Sequence, residues 1–291
     1  MKKVLSNKKD FYGWFFISFA VVLAAIFIVY PVISSFLMSF QSIKGFKTEF
    51  VGIGNYLRLF SDKTFQISMM NSIFFLIVQV PIMLLLALLL ASLLNSKMFR
   101  FKSFFRTAAF IPCVTSLVAS STLFKMIFAN DGLINNLLLK FGLVSGQIPW
   151  LSDGLLAKIV IILVLLWRWT GYNMIFYLAA MQNIPTEIYE AAEMDGASKI
   201  KQFFHITIPN LKPIILVTAI SSTIGTLQLF DEPMNLTKGG PGTATTTISQ
   251  YIYNTSFVYS PNFGYAATLS YAIVFIVVIL SIIQFRAGGK E

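Results

Sequence analysis

The sequence predicts an all-α integral membrane protein with about six transmembrane helices. Of its 291 residues, 56% are hydrophobic and only 12% are charged, against roughly 25% charged in an average soluble domain. The deficit in charge runs along the whole chain, so this is not a soluble domain carrying an anchor. The apolar residues gather into six runs, each close to the ~20 helical residues that cross a bilayer core.

The elements follow in order. Residues 1–13, beginning MKKVLSNKKD, read as a short cytoplasmic N-terminus. The first span, Trp14–Phe40, is longer than the ~7–15-residue apolar core of a cleaved signal peptide, and Pro31 is its one break. Residues 41–69 contain FVGIGNYLRLF, which suits a short amphipathic helix along the interface. Spans two and three are Met70–Leu94 and Thr107–Phe128. Residues 129–153 carry DGLINNLLLKFGL, a second surface helix. Span four is Leu155–Met181. A polar elbow over residues 183–210 leads to span five, Leu211–Phe230. TKGGPGTAT, residues 237–245, is a glycine-proline turn, and span six is Tyr265–Phe285. Residues 286–291 form the C-terminus, and residues 14–285 make up one transmembrane domain.

The net charge is +10, but the bases sit at the ends of apolar runs, where they set orientation rather than bind nucleic acid. Lys2, Lys3, Lys8, Lys9, Lys97, Arg100, Lys102, Arg106, Lys199, Lys201, Lys212, Arg286 and Lys290 would share the side of both termini. Lys44, Lys47, Arg58, Lys63, Lys140 and Lys238 would lie on the other. The bias puts both termini in the cytoplasm. Cys113 is the one cysteine and His205 the one histidine, so no intrachain disulfide and no Cys/His metal site is expected. Nor is there a GxxxxGK[ST] phosphate loop.

The elbow EAAEMDGASKIKQFFHITIP, residues 190–209, interrupts this apolar chain with carboxylates at Glu187, Glu190, Glu193 and Asp195. Ile184-Pro185 stops span four, and an acid in the first turn suits a new helix. Ala191 and Ala192 let another surface approach closely. Gly196 permits a sharp bend, having no Cβ to clash at positive φ. A second short helix carries Ile200, Phe203 and Phe204, and Pro209 closes the elbow. Two readings are open on these residues: a helix-turn-helix resting on lipid headgroups, or a docking handle for a protein. Four carboxylates facing an anionic membrane favour the handle.

The segment resembles the EAA loop of bacterial ABC importer permeases: Glu-Ala-Ala, three residues, Gly, nine residues, Ile, one residue, Leu-Pro. Here Glu190-Ala191-Ala192, Gly196, Ile206 and Pro209 stand at that spacing, with Ile208 in place of Leu. WRWTGYNMIFYLAAMQNIP, LTKGGPGTATTT and YIYNTSFVYSPNFGYAATLSYAIVF narrow the likeness to the first of the two permeases in sugar importers of the maltose, lactose and raffinose type. It spans most of residues 11–285. The resemblance implies an ABC importer type I permease fold in the bacterial cytoplasmic (inner) membrane, and a non-enzymatic subunit that moves a small oligosaccharide. It also implies the partners: a homologous second permease, two ATPase subunits, and an extracellular or periplasmic sugar-binding protein docked on residues 129–153 and 237–262. The ATPase subunits would use ATP and Mg; this chain would bind no cofactor and no metal. The elbow becomes the coupling helix, with Glu190, Ala191, Ala192, Asp195, Gly196 and Ala197 in the ATPase cleft.

A sugar path requires aromatic faces and neutral hydrogen-bonding groups turned to a cavity. Span four offers Trp167, Arg168, Trp169, Thr170, Gly171, Tyr172 and Asn173. Span five offers Ser222, Thr226 and Gln228, with Ser222, Thr226 and Leu229 on one helical face. The likeness points to Trp167, Thr170, Gly171, Ser222, Thr226 and Leu229 as contacts, and puts Cys113 and Leu117 at two further contact positions that suit a sugar poorly. Arg168, at mid-span, either faces the cavity or makes an ion pair or carbonyl contacts with a neighbouring helix, with Asp231 and Glu232 as candidate partners. A cavity-facing Arg168 would suit a rival substrate, glycerol-3-phosphate or another phosphorylated polyol. An integral-membrane enzyme would need converging catalytic groups that the sequence lacks, and a secondary carrier would not need the EAA spacing.

Overall fold

The computed structural model describes residues 2–44, 47–96 and 100–288; Lys97, Lys290 and the extreme C-terminus fall outside them. The chain is helical from Lys2: α1 (Lys2–Ala24) passes through a π-helical turn, Ala25–Val29, into α2 (Tyr30–Ser39). A two-stranded antiparallel hairpin follows, β1 (Gln41–Lys44) and β2 (Lys47–Phe50), pairing Gln41 with Phe50. It is an addition to the all-α expectation. Then come α3 (Gly54–Ser61), α4 (Lys63–Asn95), α5 (Lys102–Val114), α6 (Leu117–Ile127), α7 (Leu133–Lys140), α8 (Gly154–Met181), α9 (Thr186–Met194) and α10 (Lys199–Gln202). A second π turn, Phe203–Thr207, leads into α11 (Ile208–Leu227), followed by α12 (Asp231–Leu236), α13 (Ile248–Tyr253), a third π turn and α14 (Phe263–Gly288).

Among the described residues, five helices are long and apolar enough to cross a membrane: Tyr12–Ser39, Lys63–Asn95, Gly154–Met181, Lys199–Leu227 and Phe263–Gly288. The sixth expected span, Thr107–Phe128, is not one helix. α5 and α6 meet at an angle of 99°. Thr115 and Ser116 are extended there, with ψ of 149° and 130°, and Thr115 N–H falls back on Pro112 O at 3.3 Å. Hydropathy counts apolar length and is blind to such a turn.

Two prolines expected to interrupt helices do not. Pro31 and Pro209 each follow a π turn by two residues. Proline has no N–H and its ring crowds the carbonyl four residues back. In both places the preceding turn has already widened to i→i−5 bonding, Tyr30 N–H to Ala25 O and Ile208 N–H to Phe203 O, and the helix continues. Thus Pro209 does not end the elbow; the helix from Lys199 to Leu227 is continuous.

The chain forms two compact units. In the first, residues up to Ser61 with Ile252–Ala272, buried Asn55 donates to Ser39 O and Gln41 O, both at 2.9 Å. Thr268 also donates to Ser39 O, and the Arg58 guanidinium lies 3.9 Å from the Tyr265 ring centre.

The second unit, Asp62–Tyr251 with the remainder of α14, holds the site. Its centre is the packing of α4 on α8. Ala87 and Ala91 are fully buried, and their small side chains let Met174, Tyr177, Leu178 and Met181 close in, with Leu211 of α11 completing the cluster. A second cluster joins Phe75 to Ile161, Val164, Leu165, Leu229 and Leu236. Asp62 caps α4, accepting from Thr64 N–H and Phe65 N–H at 2.9 and 3.1 Å, while its other oxygen accepts from Tyr251 O–H at 2.6 Å. Asp153 caps α8 in the same way through Leu155 and Leu156. Asn135 on α7, fully buried, ties residues 129–153 together: it donates to Ile148 O and accepts from Ile148 N–H and Trp150 Nε1–H.

Candidate functional site

A cavity of about 470 Å³ opens among α4, α6, α8, α11 and α12, a size that suits a small ligand. One wall is aromatic. Trp169, Tyr172 and Phe176 follow each other along α8, with ring centres 5.7 and 5.1 Å apart in edge-to-face contact. Asn173 sits between them, donating to Trp169 O at 3.0 Å. The facing wall, α11, repeats hydroxyls at helical spacing: Thr218, Ser221, Ser222 and Thr226, with Gly225 leaving room between them. Gln228, Leu229, Phe230, Asp231 and Glu232 close one end, and Gln79 and Met83 of α4 form the back. Thr226 Oγ1 donates to Gln79 Oε1 at 3.0 Å.

The cavity gathers Trp169, Asn173, Ser222, Thr226 and Gln228 from the expected site, with Leu229 and Leu117. It leaves out Trp167, Arg168, Thr170 and Gly171, for a geometric reason: successive residues of a helix point about 100° apart, so a contiguous window cannot face one space. Trp167 packs edge-on against Phe124. Thr170 is buried. Gly171 is a close-approach position, where an added Cβ would overlap the Ala109 carbonyl of α5. Arg168 is buried and donates from Nη1 to Thr115 O at 3.2 Å, the carbonyl freed by the α5–α6 break. A cation at the C-terminal end of α5 also suits that helix dipole. Of the two readings for Arg168, the carbonyl bond to a neighbouring helix is the one observed.

Sequence reasoning passed over Gln79, Phe176, Asp231 and Glu232 as site residues, and named Tyr172 only among the groups that span four offers. Gln79 carried a signal, a lone amide inside the apolar run IVQVPIM, costly at bilayer depth unless turned inward. Asp231 is exposed on the cavity, while Glu232 is 4% exposed. Burial pushes the Glu232 carboxyl up from the usual carboxylate range; its own backbone N–H and the charge of Arg168 oppose this, and Asp231 adds to it.

The elbow is a separate surface. Glu190, Ala191, Asp195 and Gly196 are exposed, and Ala192 and Ala197 are half-buried. α9 ends in a two-bond glycine cap. Ala197 N–H donates to Ala192 O and Gly196 N–H to Glu193 O, with Gly196 at φ 78°. Ser198 then caps α10 through Lys201 N–H. The handle is held from below by Tyr189 O–H against Thr207 Oγ1 at 2.9 Å and by buried Gln202, which donates to Ala197 O. The elbow exposes apolar as well as acidic side chains: Met194 is 90% exposed, and Ile188, Ile200 and Phe204 are exposed too. His205 is exposed and bonds Lys201 O. Among the described residues no three His, Cys, Asp or Glu side chains are grouped to hold a metal ion.

The family model for the binding-protein-dependent transport system inner membrane component matches residues 51–287. The chain is 50% identical over 289 residues to the lactose transport system permease protein LacF of Rhizobium radiobacter, covering 99% of this chain and 97% of that one. It is 35% identical over 272 residues to the arabinooligosaccharides transport system permease protein AraP of Bacillus subtilis, covering 91% and 84%. A chain in the crystal structure of a bacterial ABC transporter involved in import of the acidic polysaccharide alginate superposes with a TM-score of 0.87 at 21% identity, covering 99% of this chain and 98% of that one. That likeness supports the fold alone. The family match and the relatives' shared permease character agree with the helical bundle and its acidic handle: the chain belongs to the binding-protein-dependent transport system inner membrane components, as a permease subunit of an importer and not an enzyme.

Proposed function

We propose that this chain is the sugar-conducting permease of an ATP-driven importer for a small oligosaccharide, with the α4–α8–α11 cavity as its substrate site. The observation that carries the reading is the pairing of an aromatic rail, Trp169–Tyr172–Phe176, with a hydroxyl wall, Ser221–Ser222–Thr226. Pyranose C–H faces stack on the first, and sugar hydroxyls bond the second and Asn173. The lactose and arabinooligosaccharide relatives support a saccharide of that scale. Such a protein works beside a homologous second permease, two ATPase subunits that use ATP and Mg, and an external sugar-binding protein, with both termini in the cytoplasm.

Coupling runs through α9. Glu190 pairs with a base on the ATPase, Ala191 and Ala192 admit its surface, and Gly196 holds the bend, with Asp195 and Ala197 beside it. Met194, nearly fully exposed at the tip, supplies an apolar anchor of the kind that interface centres favour.

The test is the complex purified with its co-expressed partners, assayed for ATPase stimulation by lactose, arabino-oligosaccharides and other neutral sugars together with the binding protein. One sugar should stimulate. Trp169→Ala should lower that stimulation at fixed sugar, and Glu190→Lys should abolish it with assembly of the two permeases intact. No stimulation by any sugar, or full transport by Glu190→Lys, would overturn the reading.

A further inference from the structure

We propose that the cavity is a charge filter: Asp231 and Glu232 make it admit uncharged saccharides and refuse carboxylated, sulfonated or phosphorylated ones. The proposal rests on the reading of the cavity as the substrate site and adds the class of substrate.

The argument starts from what lines the space. Among the described residues its walls include no Lys, Arg or His side chain; the carboxylic acids among them are Asp231 and Glu232, both at the α12 end. The nearby buried cation, Arg168, is not part of the wall. Its Nη1 donates to Thr115 O and its charge offsets part of that of Glu232, which leaves Asp231 as the exposed acid facing the space. An anionic glycoside entering here would shed water without meeting a cation in the wall. It would also meet a field of its own sign, focused by the apolar flanks of Leu117, Leu165, Phe176 and Val217. A neutral sugar suffers neither loss. Its hydroxyls meet Ser221, Ser222, Thr226 and Asn173, and the carboxylates accept from hydroxyls in strong, charge-assisted bonds. The inference therefore stands on the cavity, its neutral donors and the absence of a wall cation together, not on two neighbouring acids.

The potential can be read without any substrate. In the purified complex carrying Cys113→Ser, a single Ser222→Cys probe on the cavity wall is reacted with a cationic and an anionic methanethiosulfonate of similar size. Ser145→Cys, on the exposed outer segment, gives the reference ratio of rates. The net negative charge of the wall, carried chiefly by exposed Asp231, should raise the cation-to-anion ratio at position 222 by on the order of tenfold over the reference. Asp231→Asn with Glu232→Gln should return it to the reference. Should that pair prevent assembly, Asp231→Asn alone, at an exposed position, must already lower the ratio. A ratio at position 222 equal to the reference, or one indifferent to these changes, overturns the filter. Sugar-stimulated ATPase activity is a separate readout. Biased labelling in a complex that no sugar stimulates counts against the importer reading, whereas unbiased labelling in a sugar-stimulated complex counts against the filter alone.

Discussion

Replacing Gly171 with alanine should damage this protein through its backbone rather than its cavity. Gly171 lies where α8 crosses α5, and a Cβ there would overlap the carbonyl group of Ala109 and stand 3.2 Å from the Phe110 amide nitrogen. These atoms are main chain, so no rotamer change relieves the clash and the helices must separate. Overpacking of this kind costs about 1–3 kcal/mol, occasionally more, and the rigidity of both partners argues for the upper end. Alanine returns about 1 kcal/mol of helix propensity over glycine, leaving a net loss of about 2 kcal/mol. For a chain of this size, each kcal/mol shifts Tm by about 2–4 °C, so a fall of about 4–8 °C is expected. Gly225 is the control: it is also helical, it lines the cavity, and an added Cβ meets nothing within 4 Å. Gly225→Ala should leave Tm unchanged or slightly raised, and act instead on sugar stimulation by narrowing the space. The assay is thermal aggregation of the detergent-solubilised complex followed by size-exclusion chromatography. If Gly171→Ala melts with the wild type while Gly225→Ala falls, the assignment of one glycine to packing and the other to the cavity is wrong.

Three further outcomes are expected. Gly196→Ala should cost about 1 kcal/mol, because φ is 78° and no contact intervenes; the loss should show as weaker ATPase co-purification rather than weaker sugar binding. Asp62→Ala removes the cap of α4 and the Tyr251 bond together and should destabilise by about 2–3 kcal/mol, read as a lower Tm in the same assay. Glu232 holds its proton more tightly when folded, so its contribution to stability is greatest at and below the ordinary carboxylate range. That contribution falls as pH rises from there to the raised folded value. Glu232→Gln should flatten this slope in a Tm-versus-pH series; an unchanged slope would count against burial as the cause.

The acidic handle was legible from sequence because its parts are local. Glu190, Gly196 and Pro209 stand at fixed separations in one strand of text, and the glycine cap needs only the backbone around it. The hydroxyl face of α11 was legible for a related reason, since Ser222, Thr226 and Leu229 keep helical period. The aromatic wall was read too broadly: WRWTGYN is continuous in sequence, yet the helix turns Trp167, Arg168 and Thr170 away from Trp169 and Asn173. The bend at Thr115–Ser116 was illegible to hydropathy, which sees apolar length but no direction, and that bend frees the carbonyl to which buried Arg168 donates. Asp231 and Glu232 were weighed as partners for Arg168 but not as wall residues. Their place depends on α11 ending at Leu227 and α12 restarting beside α6 and α8, a tertiary fact.

The widened turn at Phe203–Thr207 sets the phase between the two ends of one long rod. It holds one residue more than regular winding would use, so everything beyond it is rotated by about 100° relative to an unbroken α-helix. Because the rod runs without a gap from Lys199 to Leu227, tightening that turn by one residue would swing Thr218, Ser222 and Thr226 around the axis together. The direction in which the hydroxyls point is thus decided some four turns away, on the side of the membrane where the handle sits.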